Sequence, residues 1–335
     1  MKPVDPQTFE RTLAEAAAAA EDYRTAMIRT VLNRSDWMVL LALALIWGGA
    51  FFFIGVAVRH VAPLTYVWLR LTIAAAGLWA FLAFKRQPLA LPREAWGSIL
   101  LLAVLNNALP FALFGWGQTH IASGLASILN ATTPIWGVLV AHFLTHDERM
   151  TPRRVAGVLL GFAGVATMIG PSLLSAIGTS ALAQLACVAA SLSYALAAVW
   201  AKRFRRQGIS PISVTTGQLT AGSLVMLPVA LLVDRTWTQA FPPLEAWAAI
   251  VALALLCTAF GYVLYFRLIE RAGATNALLV TLLVPPVAIL LGWLFLHEQL
   301  AGQDFAGLAL IALGLAAIDG RLLSRLARLR LRRAA

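Results

Sequence analysis

Residues 123–148, SGLASILNATTPIWGVLVAHFLTHDE, form an apolar run with Pro134 at its centre and acids just past its end. Residues 274–298, ATNALLVTLLVPPVAILLGWLFLHE, repeat that plan, with Pro285 again eleven residues in and a His-acid ending. About 20 mostly apolar residues suffice to cross a ~30 Å hydrocarbon layer, so each run can span a membrane. The same span written twice points to a duplicated membrane protein.

Composition agrees. A chain of 335 residues that is 60% hydrophobic and 12% charged cannot hide its apolar side chains in one soluble core. Only helices and closed barrels satisfy the backbone in lipid, and long runs without period-two alternation read as helices. The formal net charge of +11 raises the question of a nucleic-acid partner. The basic residues fall in short clusters between apolar runs rather than on one face, so none is expected; the expected partners are membrane lipid and a small-molecule substrate. Cys187 and Cys257 lie inside apolar runs without metal-ligand or disulfide-framework spacing and read as packing residues; no cofactor is implied. About 35 polar or Ala-rich residues precede the first run without a signal-peptide pattern, so that run is expected to stay in the mature protein.

Ten spans can be marked, at 37–58, 63–84, 95–116, 123–144, 153–170, 181–201, 211–233, 246–268, 274–296 and 303–319. With the N-terminus in the cytoplasm, 23 Lys and Arg fall on the inner side, only Arg59 and Arg235 on the outer side, and Arg70 within a span. Cytoplasmic loops carry such an excess, which predicts both termini inside. The chain then divides into a tail at 1–35, a first five-helix repeat at 36–172, a second at 173–320 and a basic tail at 321–335. Phe9, Leu13, Ala17 and Ala20 share helical spacing in the first tail, which reads as a solvated segment or an interfacial helix. The C-terminal arginines suit anionic lipid.

The repeat can be followed residue by residue. An offset of 151 pairs Trp96 with Trp247, Pro134 with Pro285 and His146 with His297; offset 150 pairs Gly157 with Gly307 and Gly164 with Gly314; offset 148 pairs Pro63 with Pro211. Five spans per half is an odd number, so the second half enters the membrane from the opposite side. Inverted repeats of this kind place a substrate site near the midplane between the halves.

A pseudo-two-fold axis should therefore bring equivalent polar positions together. Asn107 pairs with Thr258, Phe111 with Tyr262 and Asn130 with Thr281, while Arg70 pairs with Gln218 at offset 148. Asn130 with Thr133, Thr258 with Tyr262, and Ser191 with Tyr194 stand three or four apart on shared helix faces. Taken singly, such residues serve equally well as interhelical hydrogen bonds of about 0.6 kcal/mol; as a set at matching depths they are expected to line a central cavity. Arg70 needs its own reason, because a central Arg costs about 2.5–3.5 kcal/mol to insert. It could attract a substrate anion such as a carboxylate, snorkel outward, or hold helix-end carbonyls.

The 15 acids all lie at span ends or in loops, so proton antiport through a buried carboxylate lacks its usual group. An enzyme is not indicated. His297-Glu298 opens an H-E-x-x-H pattern, but Ala301 occupies the second His position, and no Walker loop or nucleophile elbow occurs. Pro134 and Pro285-Pro286 should bend or open their helices. Trp47-Gly48-Gly49 allows close approach or local unwinding. Gly157, Gly161 and Gly164, echoed by Gly307 and Gly314, mark close-packing faces, either against each other or across a homodimer. The acids that end the first proline span, Asp147 and Glu148, read as caps for the helix that follows.

These features resemble the drug/metabolite transporter superfamily, EamA type, over residues 38–320. The resemblance rests on Ile46-Trp47-Gly48, Pro63 with Arg70, residues 122–134 with Glu148 and Gly157, then Gln218, Gly273-Ala274, Pro285, Glu298, Gly307 and Gly314. It implies an all-α polytopic protein of ten transmembrane helices in two inverted five-helix repeats. It also implies a multi-pass carrier of a bacterial cytoplasmic membrane, commonly an exporter of amino acids or related metabolites. Trp47, Phe111, Trp116, Tyr194 and Tyr262 would suit an aromatic or amphipathic substrate. A non-transporting membrane scaffold or an intramembrane enzyme is the alternative.

Overall fold

The structure, a computed structural model, describes residues 34–144, 151–174, 179–272 and 280–319. Ten apolar helices run through them. The first half holds α1 (Arg34–Ala57), α2 (Pro63–Phe84), α3 (Arg93–Gly117), α4 (Ser123–Leu144) and α5 (Pro152–Leu174). The second holds α6 (Thr179–Arg206), α7 (Pro211–Asp234), α8 (Leu244–Ile269), α9 (Val280–Leu296) and α10 (Gly302–Asp319). Eight of the ten are long and apolar enough to cross a membrane by themselves, while α9 and α10 have shorter apolar cores.

The helix pairs expose the symmetry. Helix α1 packs on α9 as α6 packs on α4, α3 on α6 as α8 on α1, and α2 on α8 as α7 on α3. The pairs α2–α7, α4–α9 and α5–α10 map onto themselves. Every one of these contacts joins the two halves, so the repeats interlock about a central axis instead of standing side by side.

Small residues set the distances. A Cβ on Gly157 would lie 2.6 Å from the Gly314 carbonyl oxygen, and one on Gly164 would lie 2.7 Å from that of Gly307. The glycine faces therefore meet each other, α5 against α10, within one chain. Gly48 does the same for α1 and α9: its Cβ would sit 2.5 Å from Val287 Cβ. Helix α1 runs unbroken through Trp47-Gly48-Gly49, so close approach is realised there and unwinding is not.

Two local departures from the α-helix are also paired. Helix α3 carries a wider π turn at Val104–Ala108, and α8 carries one at Ala252–Phe260, overlapping at the repeat offset. Helix α4 breaks between Asn130 and Thr133, just before Pro134, whereas α9 continues through Pro285 and Pro286. The acids at 147–148, the two tails and Gly273-Ala274 lie outside the described residues.

Candidate functional site

Midway along the bundle the halves enclose a cavity of about 290 Å³. Helices α1, α2, α3 and α4 wall it from the first half and α6, α8 and α9 from the second. Of the eleven positions selected from sequence, Trp47, Arg70, Phe111, Asn130, Thr133, Tyr194, Thr258, Tyr262 and Thr281 lie on the wall.

Arg70 is the one charged residue of the lining and is 6% exposed. Its Nε donates to Thr258 Oγ1 at 2.9 Å, and its guanidinium carbon lies 3.6 Å from the centre of the Phe111 ring. Thr258 can accept because its own hydroxyl proton goes to the Leu253 carbonyl at 2.7 Å, a bond five residues back that the π turn permits. Phe111 is held in turn, its carbonyl accepting from Tyr66 Oη at 2.7 Å. Among the described residues no carboxylate pairs with Arg70. The α2–α8 contact of the fold and the charge of the site are thus the same interaction. These contacts hold Arg70 in the interior of the bundle.

Two selected residues, Asn107 and Gln218, lie off the wall. Asn107 is fully buried, with neither amide atom partnered among the described residues, while its neighbour Asn106 faces the cavity. Asn106 Nδ2 donates to Gln218 Oε1 at 3.2 Å and to Tyr262 Oη at 3.1 Å. Gln218 therefore stands behind Asn106 and orients it. The π turn at Val104–Ala108 carries both asparagines. A π turn adds a residue to the helix cycle, so face assignments by three-and-four spacing slip by one there. The pairing of Asn107 with Thr258 carried no signal for that slip.

Aromatic rings fill most of the remaining wall. Trp47 packs against Tyr265 with ring centroids 5.1 Å apart and donates through Nε1 to the Cys257 carbonyl at 3.2 Å. Phe114 stacks on Tyr194 at 6.2 Å and meets Phe51 edge-on at 5.5 Å. Phe51, Phe114 and Tyr265 were not singled out from sequence, since aromatic residues facing a cavity cannot be told from those facing lipid by residue type. Trp116, expected beside them, is more exposed and packs on His120. Ser191, although near Tyr194, turns to the Leu129 carbonyl at 3.1 Å and pins α6 to α4.

At the face opposite Arg34 and Asp319, acids of the second half hold the first half. Helix α4 starts without a side-chain cap of its own. Glu298, just past α9, fills the role: Oε1 accepts from Ser123 N at 2.9 Å, and Oε2 accepts from Ser123 Oγ at 2.7 Å and Gly124 N at 3.4 Å. Glu298 caps α4 because α4 presents free N–H groups to it, while Asp304 serves Ala301 at the start of α10. Asp234, at the end of α7, likewise receives the Thr65 N–H at 2.7 Å and the Thr65 hydroxyl at 3.0 Å in the first turn of α2. His60 Nε2 lies 2.6 Å from Glu245 Oε1. Helix α7, by contrast, caps itself through Ser210.

With this arrangement established, comparison with known proteins is direct. The model of the EamA-like transporter family matches twice, over residues 36–170 and 181–318, once per five-helix repeat. The chain belongs to the EamA-like transporter family. Similar relatives include the uncharacterized transporter YoaV of Bacillus subtilis (strain 168), 26% identical over 276 residues, covering 82% of this chain and 94% of that protein. A probable terminal-alkyne amino-acid exporter of Streptantibioticus cattleyicolor is 28% identical, covering 88% of this chain and 96% of that one. A probable amino-acid metabolite efflux pump of Escherichia coli (strain K12) is 25% identical, covering 85% and 94%. A crystal structure that is 20% identical superposes with a TM-score of 0.62, covering 88% of this chain and 99% of that one, which establishes a shared fold. This EamA-like chain is thus a multi-pass membrane protein of a transporter family.

Proposed function

We propose that the chain is a secondary transporter, working as an exporter of small metabolites such as amino acids or related amphipathic compounds, by alternating access between its inverted repeats. The observation that carries this reading is the central cavity, whose wall both halves build and whose one charge, Arg70, is held by a residue of the opposite half. The relatives named as an amino-acid exporter and an amino-acid metabolite efflux pump support the substrate range. The carboxylate caps at the face opposite Arg34 and Asp319 support the mechanism. Asp234, Glu298 and Glu245 are bonds between halves, so rocking that opens this face has to part them. By the distribution of basic residues this is the outer face of a cytoplasmic membrane, with both termini inside.

Reversible cross-linking tests the rocking. A Cβ on Gly77 of α2 would lie 3.8 Å from Ala259 Cβ of α8, the Cβ separation typical of a disulfide. The Gly77→Cys/Ala259→Cys protein should lose substrate exchange in proteoliposomes when oxidised and regain it when reduced. Equal exchange by the oxidised and reduced protein would reject alternating access between these halves.

A further inference from the structure

The cavity sets one fixed positive charge among neutral polar groups. Arg70 meets only uncharged groups: Thr258 Oγ1 at its Nε, the Phe111 ring, and the Tyr66 hydroxyl facing it. Its terminal amino groups remain suited to the forked grip that a guanidinium gives a carboxylate. Asn130, across the break in α4, lines the same cavity, but its unpartnered Oδ1 is buried away from it; Asn106, whose Nδ2 is engaged by Gln218 and Tyr262, lines it with an acceptor oxygen. Thr133 donates to the Asn130 carbonyl at 2.7 Å, which leaves the hydroxyl oxygen able to accept, as in Thr258. No acid belongs to the lining.

We infer that the cavity prefers amphipathic monocarboxylates whose second polar group is an uncharged N–H or O–H donor, such as N-acyl amino acids and 2-hydroxy acids, over zwitterionic amino acids. This rests on the transporter reading and narrows it. In an α-amino acid the ammonium is attached to the carbon that bears the carboxylate, so gripping the carboxylate with Arg70 brings a second positive charge close to the guanidinium in a place poor in water. An ammonium also brings a full charge that the neutral oxygens of the lining do not balance. Desolvating it without a carboxylate is unfavourable. The Trp47 face, which could otherwise attract a cation, is packed against Tyr265. An amide N–H or a hydroxyl carries a single donor and no charge, which the oxygen of Asn106 or of Thr133 can satisfy. The aromatic wall accommodates the apolar body.

The test uses the full chain in liposomes of phosphatidylethanolamine and phosphatidylglycerol, with protein-free liposomes as the background. Entry of labelled N-acetylphenylalanine, 3-phenyllactate, phenylalanine or phenethylamine is followed into liposomes preloaded with the same unlabelled compound. The first two should exchange with kcat/KM about tenfold above phenylalanine, and phenethylamine should stay at background. Arg70→Gln should bring both acids to background while the protein remains monodisperse. Asn130→Asp should shift the ratio toward phenylalanine by about tenfold, because it adds the missing counter-charge. Phenylalanine or phenethylamine exchanging as fast as the acids would overturn this inference and leave the transporter reading standing. Background rates for all four with folded protein would overturn both. Arg70→Gln moving the acids at the wild-type rate would overturn the assignment of the carboxylate.

Discussion

Helices α4 and α9 occupy equivalent places in the two repeats and carry proline at equivalent depth, yet one is broken and the other is not. In α4, Pro134 cannot donate to the Asn130 carbonyl, and Thr133 Oγ1 takes that acceptor at 2.7 Å. Thr132 Oγ1 donates to Leu129 O at 2.6 Å, and Ser191 reaches the same oxygen from α6. Hydroxyls thus stabilise the opened backbone and leave Asn130 on the cavity wall. At the matching positions of α9 stand Leu283 and Val284, which have no hydroxyl to offer. Where α6 brings Ser191 to α4, α1 brings Gly48 to α9, with bare backbone against Val284 and Val287. A proline alone does not decide whether a membrane helix opens. Its neighbours do, by supplying hydroxyls or by packing too closely for a break.

The largest expected effect comes from breaking the packed side of this comparison. A Leu at position 48 would overlap Val287 and push toward the Val284 carbonyl, 3.0 Å from the Cβ position. Both neighbours belong to a helix held along its length, so relief requires moving α9 off α1. Overpacking costs about 1–3 kcal/mol where side chains can yield, and here the contact involves backbone. Gly48→Leu should yield no monodisperse protein in detergent by gel filtration, whereas Gly49→Ala, whose nearest contacts are 3.8 Å away, should behave as wild type.

A smaller effect is expected at the end of α9. Glu298→Gln keeps the side chain's length but replaces a carboxylate oxygen with an amide that cannot accept, at a half-buried site where three donors converge. Loss of charge-assisted bonds to a helix N-terminus should lower thermal stability in detergent by about 1–2 kcal/mol. If these bonds close one face of the transporter, the same variant should raise labelling of a Cys at Ser123 by an impermeant thiol reagent. Unchanged labelling would make Glu298 a cap without a gating role.

How much of this was legible in the sequence depends on the kind of signal. The spans were, because Pro63, Ser123 and Pro211 begin helices where an apolar run meets a turn, and lipid demands continuous helices between them. The cavity wall was largely legible too, because a two-fold axis gathers matched positions around one cavity; Asn130 with Thr281 and Phe111 with Tyr262 are such pairs. Asn106 was not, because a π turn shifts the helical register without leaving a mark in residue type. The partners of Asp234 and Glu298 were not either: Thr65 lies 169 residues from Asp234 and Ser123 lies 175 from Glu298, and no local pattern encodes contacts at that separation. The missing caps on α2 and α4 were the one available hint, since a helix that starts with Ala at its cap position must find acceptors elsewhere.

The finest test separates hydroxyls from packing as the cause of the difference. Thr132→Val/Thr133→Val strips the side-chain donors from the break in α4 while Pro134 still prevents its closure. The Leu129 and Asn130 carbonyls then lose their best partners, at about 1–2 kcal/mol for the pair. Hydrogen exchange should quicken at the amides of Ala131 to Trp136 and not in α9. The reciprocal change, Val284→Thr, puts a hydroxyl within reach of preceding carbonyls in α9 at nearly constant volume. Its effect should be smaller, under about 1 kcal/mol, because such back-bonding only slightly destabilises a helix. Its readout is a severalfold faster exchange at Val287 and Ala288, the first amides after the two prolines. No change there would assign the continuity of α9 to Gly48 alone, and the two repeats would then differ through their packing partners rather than through their own side chains.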